Sequence, residues 1–165
     1  MAAPYDNRVF ALLAEVATCL CAQIAADGLP DVCFCGVLPG EVTIADYASE
    51  CDAACGMAYV RMTSMYPSVA VGTPSEQAGN CATGLGIEVE VGILRCAPMP
   101  DSDGSPPGAD EQLAATQLQI ADALAAWKAI SCCQNNQDFL LGTYTPVGPQ
   151  GDVVGGFWAV GMMVT

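Results

Sequence analysis

Apolar residues recur at helical spacing from Asp6 to Ala26, which predicts an amphipathic first helix with one packed face. Asp6 is a typical N-cap residue, and the following DGLP supplies the glycine and proline that end helices. A second helix is predicted from Asp110 to Ser131, with two acids near its positive end. Its apolar stripe consists of Leu113, Ile120, Leu124 and Trp127.

The segment GIEVEVGILRCAP has the clearest strand pattern in the chain, because apolar and polar residues alternate along it. One face of this strand consists of Ile87, Val89, Val91 and Ile93. Glu88 and Glu90 fall on the opposite face. Other strands are predicted near 31–37 and 57–66, and two more close the chain after residue 138.

The order of elements is helix, three strands, helix, two strands, within a single domain of 165 residues. This order predicts an α+β fold: a mostly antiparallel four- to five-stranded sheet with two helices packed on one face. Surface loops are expected near 67–84 and 98–109, where Gly, Pro and Ser interrupt every period.

The last strand is apolar on both of its alternating sets, so it is expected to be covered on both sides, by the domain's helices or by a neighbouring subunit. Its members are the candidates for a subunit interface: Phe157, Trp158, Val160, Met162 and Met163.

Charge and composition exclude several classes of function. The chain has 18 acids, four bases and no histidine, which gives a net charge of −14. Four bases cannot neutralise phosphates over a useful footprint, so nucleic-acid binding is not expected, and anionic membranes are disfavoured for the same reason. No apolar run reaches the roughly 20 residues of a membrane span.

Without histidine, Ser-His, Cys-His and His-metal sites are impossible, so neither enzymatic activity nor a cofactor is expected. The first residues lack the basic cluster and apolar stretch of a secretory signal, which predicts synthesis in the cytosol.

Ten cysteines leave three interpretations open. Cys33 and Cys35 share one face of a predicted strand, and Cys51 and Cys55 share one side of a turn, so four thiolates could bind zinc. The spacing of the first pair departs from the usual zinc pattern. The alternatives are disulfides and buried unpaired thiols.

The acids have structural and chemical interpretations too. Glu88 and Glu90, within about 7 Å on one strand face, could form a catalytic carboxylate pair, but a solvated strand face has the same pattern. DSDGS, from Asp101 to Ser105, is similar to part of a calcium loop, although its glycine comes two positions early and a polar turn is favoured.

Several segments together resemble small structural proteins of long-tailed actinobacteriophages. They are VEVGILRCAP, the following Pro-Gly-Asp linker, the Cys-Cys pair, and TPVGPQG with GGFW near the end. The earlier segments CFC and CDAACG belong to the same pattern. Proteins with this pattern are described as head-to-tail connectors or tail terminators, and no catalytic motif belongs to it.

The resemblance implies a virion protein of the head–tail neck, assembled in the host bacterial cytoplasm. Its copies would form a ring, commonly a hexamer, that caps the tail tube, ends its polymerisation and joins it to the head-side connector or stopper protein. Genomic DNA would pass through an acidic bore without specific binding. Candidates for lining that bore are Glu88, Glu90, Asp101 and Asp103. The alternative function is a small cysteine-rich zinc-binding adaptor.

Overall fold

The computed structural model describes residues 8–40, 55–74, 84–133, 138–150 and 152–164. These residues form two helices and six strands. In chain order they are α1 (Arg8–Ala26), β1 (Phe34–Val37), β2 (Met57–Ala70), β3 (Thr73–Pro74), β4 (Gly84–Cys96), α2 (Ala109–Cys133), β5 (Phe139–Gln150) and β6 (Val153–Val164).

The strands form one sheet in the order β1-β2-β4-β6-β5, with β3 beside the far end of β2. β1 is parallel to β2, and every other described pairing is antiparallel. The predicted α+β class with a mostly antiparallel sheet is confirmed. The sheet has six strands rather than four to five, because the two-residue β3 turns back onto β2.

β2 is longer than its sequence pattern indicates. It continues through Ala70, so its last residues occupy the start of the segment predicted as the 67–84 loop, and residues 75–83 lie outside the described ranges. A bulge between Met62 and Ser64 shifts the register, which is why strict alternation breaks there. Residues 97–108 contain neither helix nor strand, and α2 begins at Ala109.

The predicted stop of α1 is confirmed. Gly28 adopts a φ of 66°, which is favourable for glycine, and follows the helix directly. The Leu29 N–H donates to the Ile24 carbonyl and the Gly28 N–H to the Ala25 carbonyl, each at 3.1 Å, so two carbonyls of the last turn are satisfied. Asp6, the predicted N-cap, lies outside the described residues.

Both helices contribute to one core on the side of the sheet that bears Ile87 and Ile93. The buried residues of α1 are Leu12, Leu13, Val16, Ala17, Leu20 and Ile24. The apolar face predicted for β4 is buried, and Glu88 and Glu90 lie on the opposite face. α1 is also long and apolar enough to cross a membrane, a test that core helices of soluble proteins and signal sequences near an N-terminus pass as well.

α2 has its large apolar side chains on the outside. Leu113, Ile120, Leu124 and Trp127 are between 43% and 57% exposed. The side that faces the core is built mainly from small residues, and its fully buried members are Asp122, Ala125, Ala126, Ala129 and Ile130. Alanines allow the helix axis to lie close to the sheet and to α1.

Polar contacts fix this orientation of α2. The Arg95 guanidinium continues the helix-facing row of β4 and donates to both Asp122 carboxylate oxygens, at 2.7 and 2.8 Å. The Trp158 indole N–H donates to the Ala123 carbonyl at 2.9 Å, and the Gln119 amide donates to the Gly155 carbonyl. Rotation of α2 that buried its apolar stripe would break all three contacts.

Candidate functional site

The side of the sheet turned away from the helices, which we call the open face, carries the predicted acid pair. In β4, Glu88 and Glu90 point to this side, between Gly86 and Gly92. Arg61 of β2 lies opposite Glu90, and its Nε donates to Glu90 Oε2 at 2.6 Å. The same guanidinium donates to the Gly40 carbonyl at 3.2 Å. The charge of Glu90 is therefore balanced within the sheet.

Glu88 has a different environment, since its hydrogen-bond partner is neutral. The Tyr66 hydroxyl donates to Glu88 Oε1 at 2.8 Å. Burial and this hydrogen bond raise the pKa of Tyr66, so the phenol keeps its proton. Gly86 makes the contact possible, because a Cβ there would lie 2.4 Å from the Tyr66 ring. Glu88 thus contributes negative charge to the open face.

The open face becomes apolar toward the other end of β4. Tyr59 lies against Gly92, where a Cβ would come within 2.7 Å of its ring. Burial, with the Glu90 charge as a second cause, raises the pKa of Tyr59 to about 12. Around it is a second buried cluster, formed by Leu38, Met57, Tyr59, Leu94 and Val153. This end of the open face is a small core rather than a solvated surface.

Asp101 and Asp103 do not join the glutamates. They lie in the segment that follows β4. The last residue of β4, Cys96, is six residues beyond Glu90, which corresponds to about 20 Å along a strand. The Asp101 N–H donates to the Ser105 carbonyl at 3.0 Å, and the Ser105 N–H donates to Asp103 Oδ1 at 2.9 Å. That bond lowers the pKa of Asp103. The four predicted bore acids form two separate groups, and DSDGS forms a closed polar turn.

The basic residues are committed to the chain's own carboxylates. Arg61 pairs with Glu90, Arg95 pairs with Asp122, and Lys128 pairs with Asp27, at nitrogen–oxygen distances of 2.6, 2.7 and 2.9 Å. The fourth base of the chain, Arg8, begins α1 at the opposite end of the helix from Asp27. Of the three paired cations, Arg95 is buried, with a side chain only 7% exposed.

The predicted interface residues of the last strand separate onto two sides. Val160 and Met162 are fully buried under the chain's own helices, and Trp158 packs beneath α2 through its hydrogen bond to Ala123. Phe157 and Met163 lie on the open face and are partly exposed. The helices account for the burial of Val160 and Met162, and a role in subunit contact stays a prediction for the half-buried Phe157, Trp158 and Met163.

The open face also has an apolar end that the sequence pattern did not reveal, which we call the distal patch. It consists of Val71, Leu140 and Met163, which border Gly161, Gly72 and Gly84 respectively, and the Glu88 carboxylate also approaches Gly161. Leu140 is 58% exposed and approaches Gly72, while Val71 approaches Gly161. The residues come from three separate strands or turns, so only the sheet pairing brings them together.

Most of the described cysteines are in disulfides, whereas Cys132 is an exposed free thiol. Cys21 of α1 is bonded to Cys35 of β1, and Cys55 before β2 is bonded to Cys96 at the end of β4. Cys33 is disulfide-bonded as well, and Cys51 lies outside the described residues. A thiol in a disulfide is not a zinc ligand. In the described ranges, no three His, Cys, Asp or Glu side chains are grouped as a metal site would require.

The outward stripe of α2 was visible in the sequence, but its direction was not. One signal was available. The other side of the same helix carries four alanines and one aspartate, at positions 115, 122, 125, 126 and 129. An aspartate in the middle of an alanine-rich face predicts a buried partner such as Arg95 only when the position of β4 is known. Comparison with known proteins finds no matching family model and no matching curated protein, so the residues themselves carry the functional argument.

Proposed function

We propose that this chain is a structural protein of a phage virion, located in the neck between head and tail. Its copies form a ring, commonly a hexamer, that caps the tail tube, ends its polymerisation and joins it to the head-side connector or stopper. The proposal rests on the resemblance of the segments named above and on the surface chemistry of the fold. It includes no catalytic step.

One observation carries the proposal: three of the four bases are ion-paired with the chain's own acids. Phosphate contacts need cations that are free to replace condensed counterions. A chain of net charge −14, three of whose four bases are paired with its own acids, repels DNA instead. A ring through which a genome slides needs this property, because each phosphate contact would slow passage.

With both helices on one side of the sheet, the open face is the surface proposed to line the bore. Glu88 supplies its negative charge, since Glu90 is balanced by Arg61. Repetition of Glu88 around a ring places a circle of carboxylates at one level of the bore. Asp101 and Asp103 are exposed in a different segment, so we place them at the rim.

Ring closure needs two different surfaces on each subunit. We propose the distal patch as one of them, because it exposes Leu140 beside the half-buried Val71 and the exposed Gly72. β5 itself is poorly suited to strand addition. Two register shifts and two prolines, Pro146 and Pro149, interrupt this edge strand.

The test is electron microscopy of intact phage particles that carry this chain with a short affinity label bound by antibody fragments. Fragments at the head–tail junction are expected. Fragments on the capsid shell or at the tail tip would overturn the proposed location. On the purified chain, rings with an open centre are expected, and Leu140→Glu is expected to abolish them.

Met99→Glu is the matched control for Leu140→Glu, because Met99 is 57% exposed and lies outside the distal patch. It adds the same charge and should leave the rings intact. Duplex DNA should not be retained by either protein at low salt. Retention by the unmodified chain would contradict the proposed bore.

A further inference from the structure

The outward side of α2 has the spacing of a helix-pairing seam. Its exposed positions are Leu113, Gln117, Ile120, Leu124, Trp127 and Ser131, alternately four and three residues apart. This is the a/d spacing by which two helices pack side chains between each other. An ordinary surface helix has its apolar side inward, whereas α2 has alanines and Asp122 inward and this seam outward.

We propose that this seam is the contact with a second copy of the chain, in which two α2 helices pack antiparallel across a two-fold axis near Ile120. The contact is additional to the ring contact and does not depend on the proposed function. A two-fold contact cannot close a ring by itself, so it joins two free chains or two rings.

The spacing of the large side chains is self-complementary. Leu113 and Trp127 lie seven residues before and after Ile120. Antiparallel pairing about Ile120 therefore places Leu113 of each copy against Trp127 of the other, and Ile120 against its equivalent. The residues beside the seam are small, such as Ala114, Thr116 and Ala121. They let two helices approach closely over about four turns.

Charge selects the antiparallel direction. Asp110 lies in the first turn of α2, ten residues before Ile120, and Lys128 lies eight residues after it. At about 100° of rotation per residue both fall on the same flank of the seam, so the two-fold axis brings Asp110 of each copy near Lys128 of the other. Lys128 Nζ donates to both oxygens of Asp27, which leaves the third donor of its ammonium group for this contact.

Parallel pairing is disfavoured by the same residues. It would place Asp110 beside its own equivalent, in a chain that already carries a net charge of −14. It would also place Trp127 against Trp127, where two large rings would hold the helices apart while Leu113 faced Leu113. The observed order of charges and sizes fits the antiparallel arrangement.

The first experiment measures the mass of the purified chain in solution. An even number of copies is expected, starting at twice the 16.9 kDa of one chain. Ile120→Glu places two carboxylates on the axis and is expected to halve the number of copies. Met99→Glu adds the same charge at a residue of equal exposure and should leave the mass unchanged.

Circular dichroism confirms folding of Ile120→Glu, and Leu124→Lys provides a second variant if it does not fold. A folded monomer at high protein concentration, or an oligomer whose mass neither variant changes, would overturn the proposal. Leu140→Glu separates the two contacts: loss of rings with retention of dimers removes only the ring contact. Loss of dimers with retention of single rings removes only the α2 contact.

The second experiment tests direction by cross-linking. Leu113→Cys and Trp127→Cys chains are prepared separately, mixed and treated with a short thiol cross-linker, and linked peptides are identified by mass spectrometry. A peptide joining position 113 of one copy to position 127 of the other is expected in the mixture. Links of 113 to 113, or 127 to 127, in the separate samples would show a parallel pair and contradict the proposal.

Discussion

β4 and α2 lie in contact and distribute their side chains in opposite ways. β4 turns Ile87, Val89 and Ile93 toward the helices and its glutamates away from them. α2 turns alanines and Asp122 toward β4 and its Leu, Ile and Trp residues toward solvent. The interior between them is therefore filled mainly from the strand side.

The difference shows that the two elements have different numbers of partners. β4 is the central strand, paired on both edges and covered on its apolar side, so its requirements are met within one chain. The inward side of α2 is packed with small residues and one ion pair. The large apolar side chains of the helix remain exposed, and exposed apolar stripes of this size mark contact surfaces.

Asp122→Ala should produce the largest loss, because it leaves the Arg95 guanidinium buried without its carboxylate. Removal of one partner of a buried pair costs about 3–5 kcal/mol. The side chains of Arg95 and Asp122 are only 7% and 3% exposed. Urea unfolding measures the change. The double variant Arg95→Met with Asp122→Leu should lose less, and an equal loss would show that the pair does not fix α2.

The Cys55–Cys96 disulfide ties the end of β4 to the start of β2. Its cysteines are 41 residues apart, and closing such a loop stabilises the native state by about 4 kcal/mol in the chain-entropy treatment. Replacement of both cysteines by serine should lower the free energy of unfolding by this amount. Cys132→Ser, at an exposed free thiol, is the control and should change little. Peptide mapping that found Cys55 unpaired would contradict the assignment.

Ile87→Ala and Ile120→Ala compare the two elements with identical chemistry. Ile87 is completely buried, so its truncation should cost about 2–5 kcal/mol. Ile120 is 57% exposed, so at concentrations where the chain is monomeric its truncation should change stability by less than about 0.5 kcal/mol. Equal losses in the monomer would place the α2 stripe in the core and remove the contrast between the elements.

The pH dependence of stability caused by Tyr59 tests whether one end of the open face is buried. Its pKa is raised from 10.0 to about 12, chiefly by burial, so the folded chain keeps the proton over a range where the unfolded chain loses it. The stabilisation is complete below pH 10 and is lost as the pH rises toward about 12. About 2–3 kcal/mol should disappear over this window. Urea unfolding is measured at about pH 9, below the window, and at about pH 11.5, inside it. Tyr59→Phe should remove this part of the decline in stability between the two pH values. An unchanged decline would contradict it.

Lys128→Ala should have the smallest effect. The Lys128 side chain is 44% exposed, and exposed pairs of this kind contribute about 0–1 kcal/mol. The free energy of unfolding of the monomer, measured with and without 0.5 M salt (a Debye length of roughly 4 Å), should differ little between the variant and the unmodified chain. A loss comparable with that of Asp122→Ala would show that contacts on the outer side of α2 stabilise the fold as much as those on its inner side.

Much of the fold follows from local patterns. The alternation in β4 correctly placed Ile87 inward and Glu88 outward, because a strand has only two faces and one was apolar. The stop of α1 at Gly28 follows from the conformational freedom of glycine. The extension of β2 to Ala70 was missed, since the bulge after Met62 breaks the alternation and Pro67 lies near the end of the strand.

The sites depended more on three-dimensional arrangement. The pairing of Glu90 with Arg61 and of Glu88 with Tyr66 joins residues that are 29 and 22 positions apart, and nothing in the local pattern of either strand predicts it. The separation of Asp101 and Asp103 from the glutamates also comes from the path of the chain after β4. The same holds for the distal patch, whose residues are brought together by the antiparallel pairing of β5 and β6.

The sequence by itself determined the α+β class, the burial pattern of β4, the strongly acidic character and the absence of histidine chemistry, because these depend on composition and short-range periodicity. The tertiary structure decided which carboxylates stay uncompensated, how the described cysteines pair, and that the apolar stripe of α2 points outward. Contacts with Arg95, Trp158 and Gly155 hold the opposite side of α2 against the sheet. The apolar stripe of the same helix therefore faces outward.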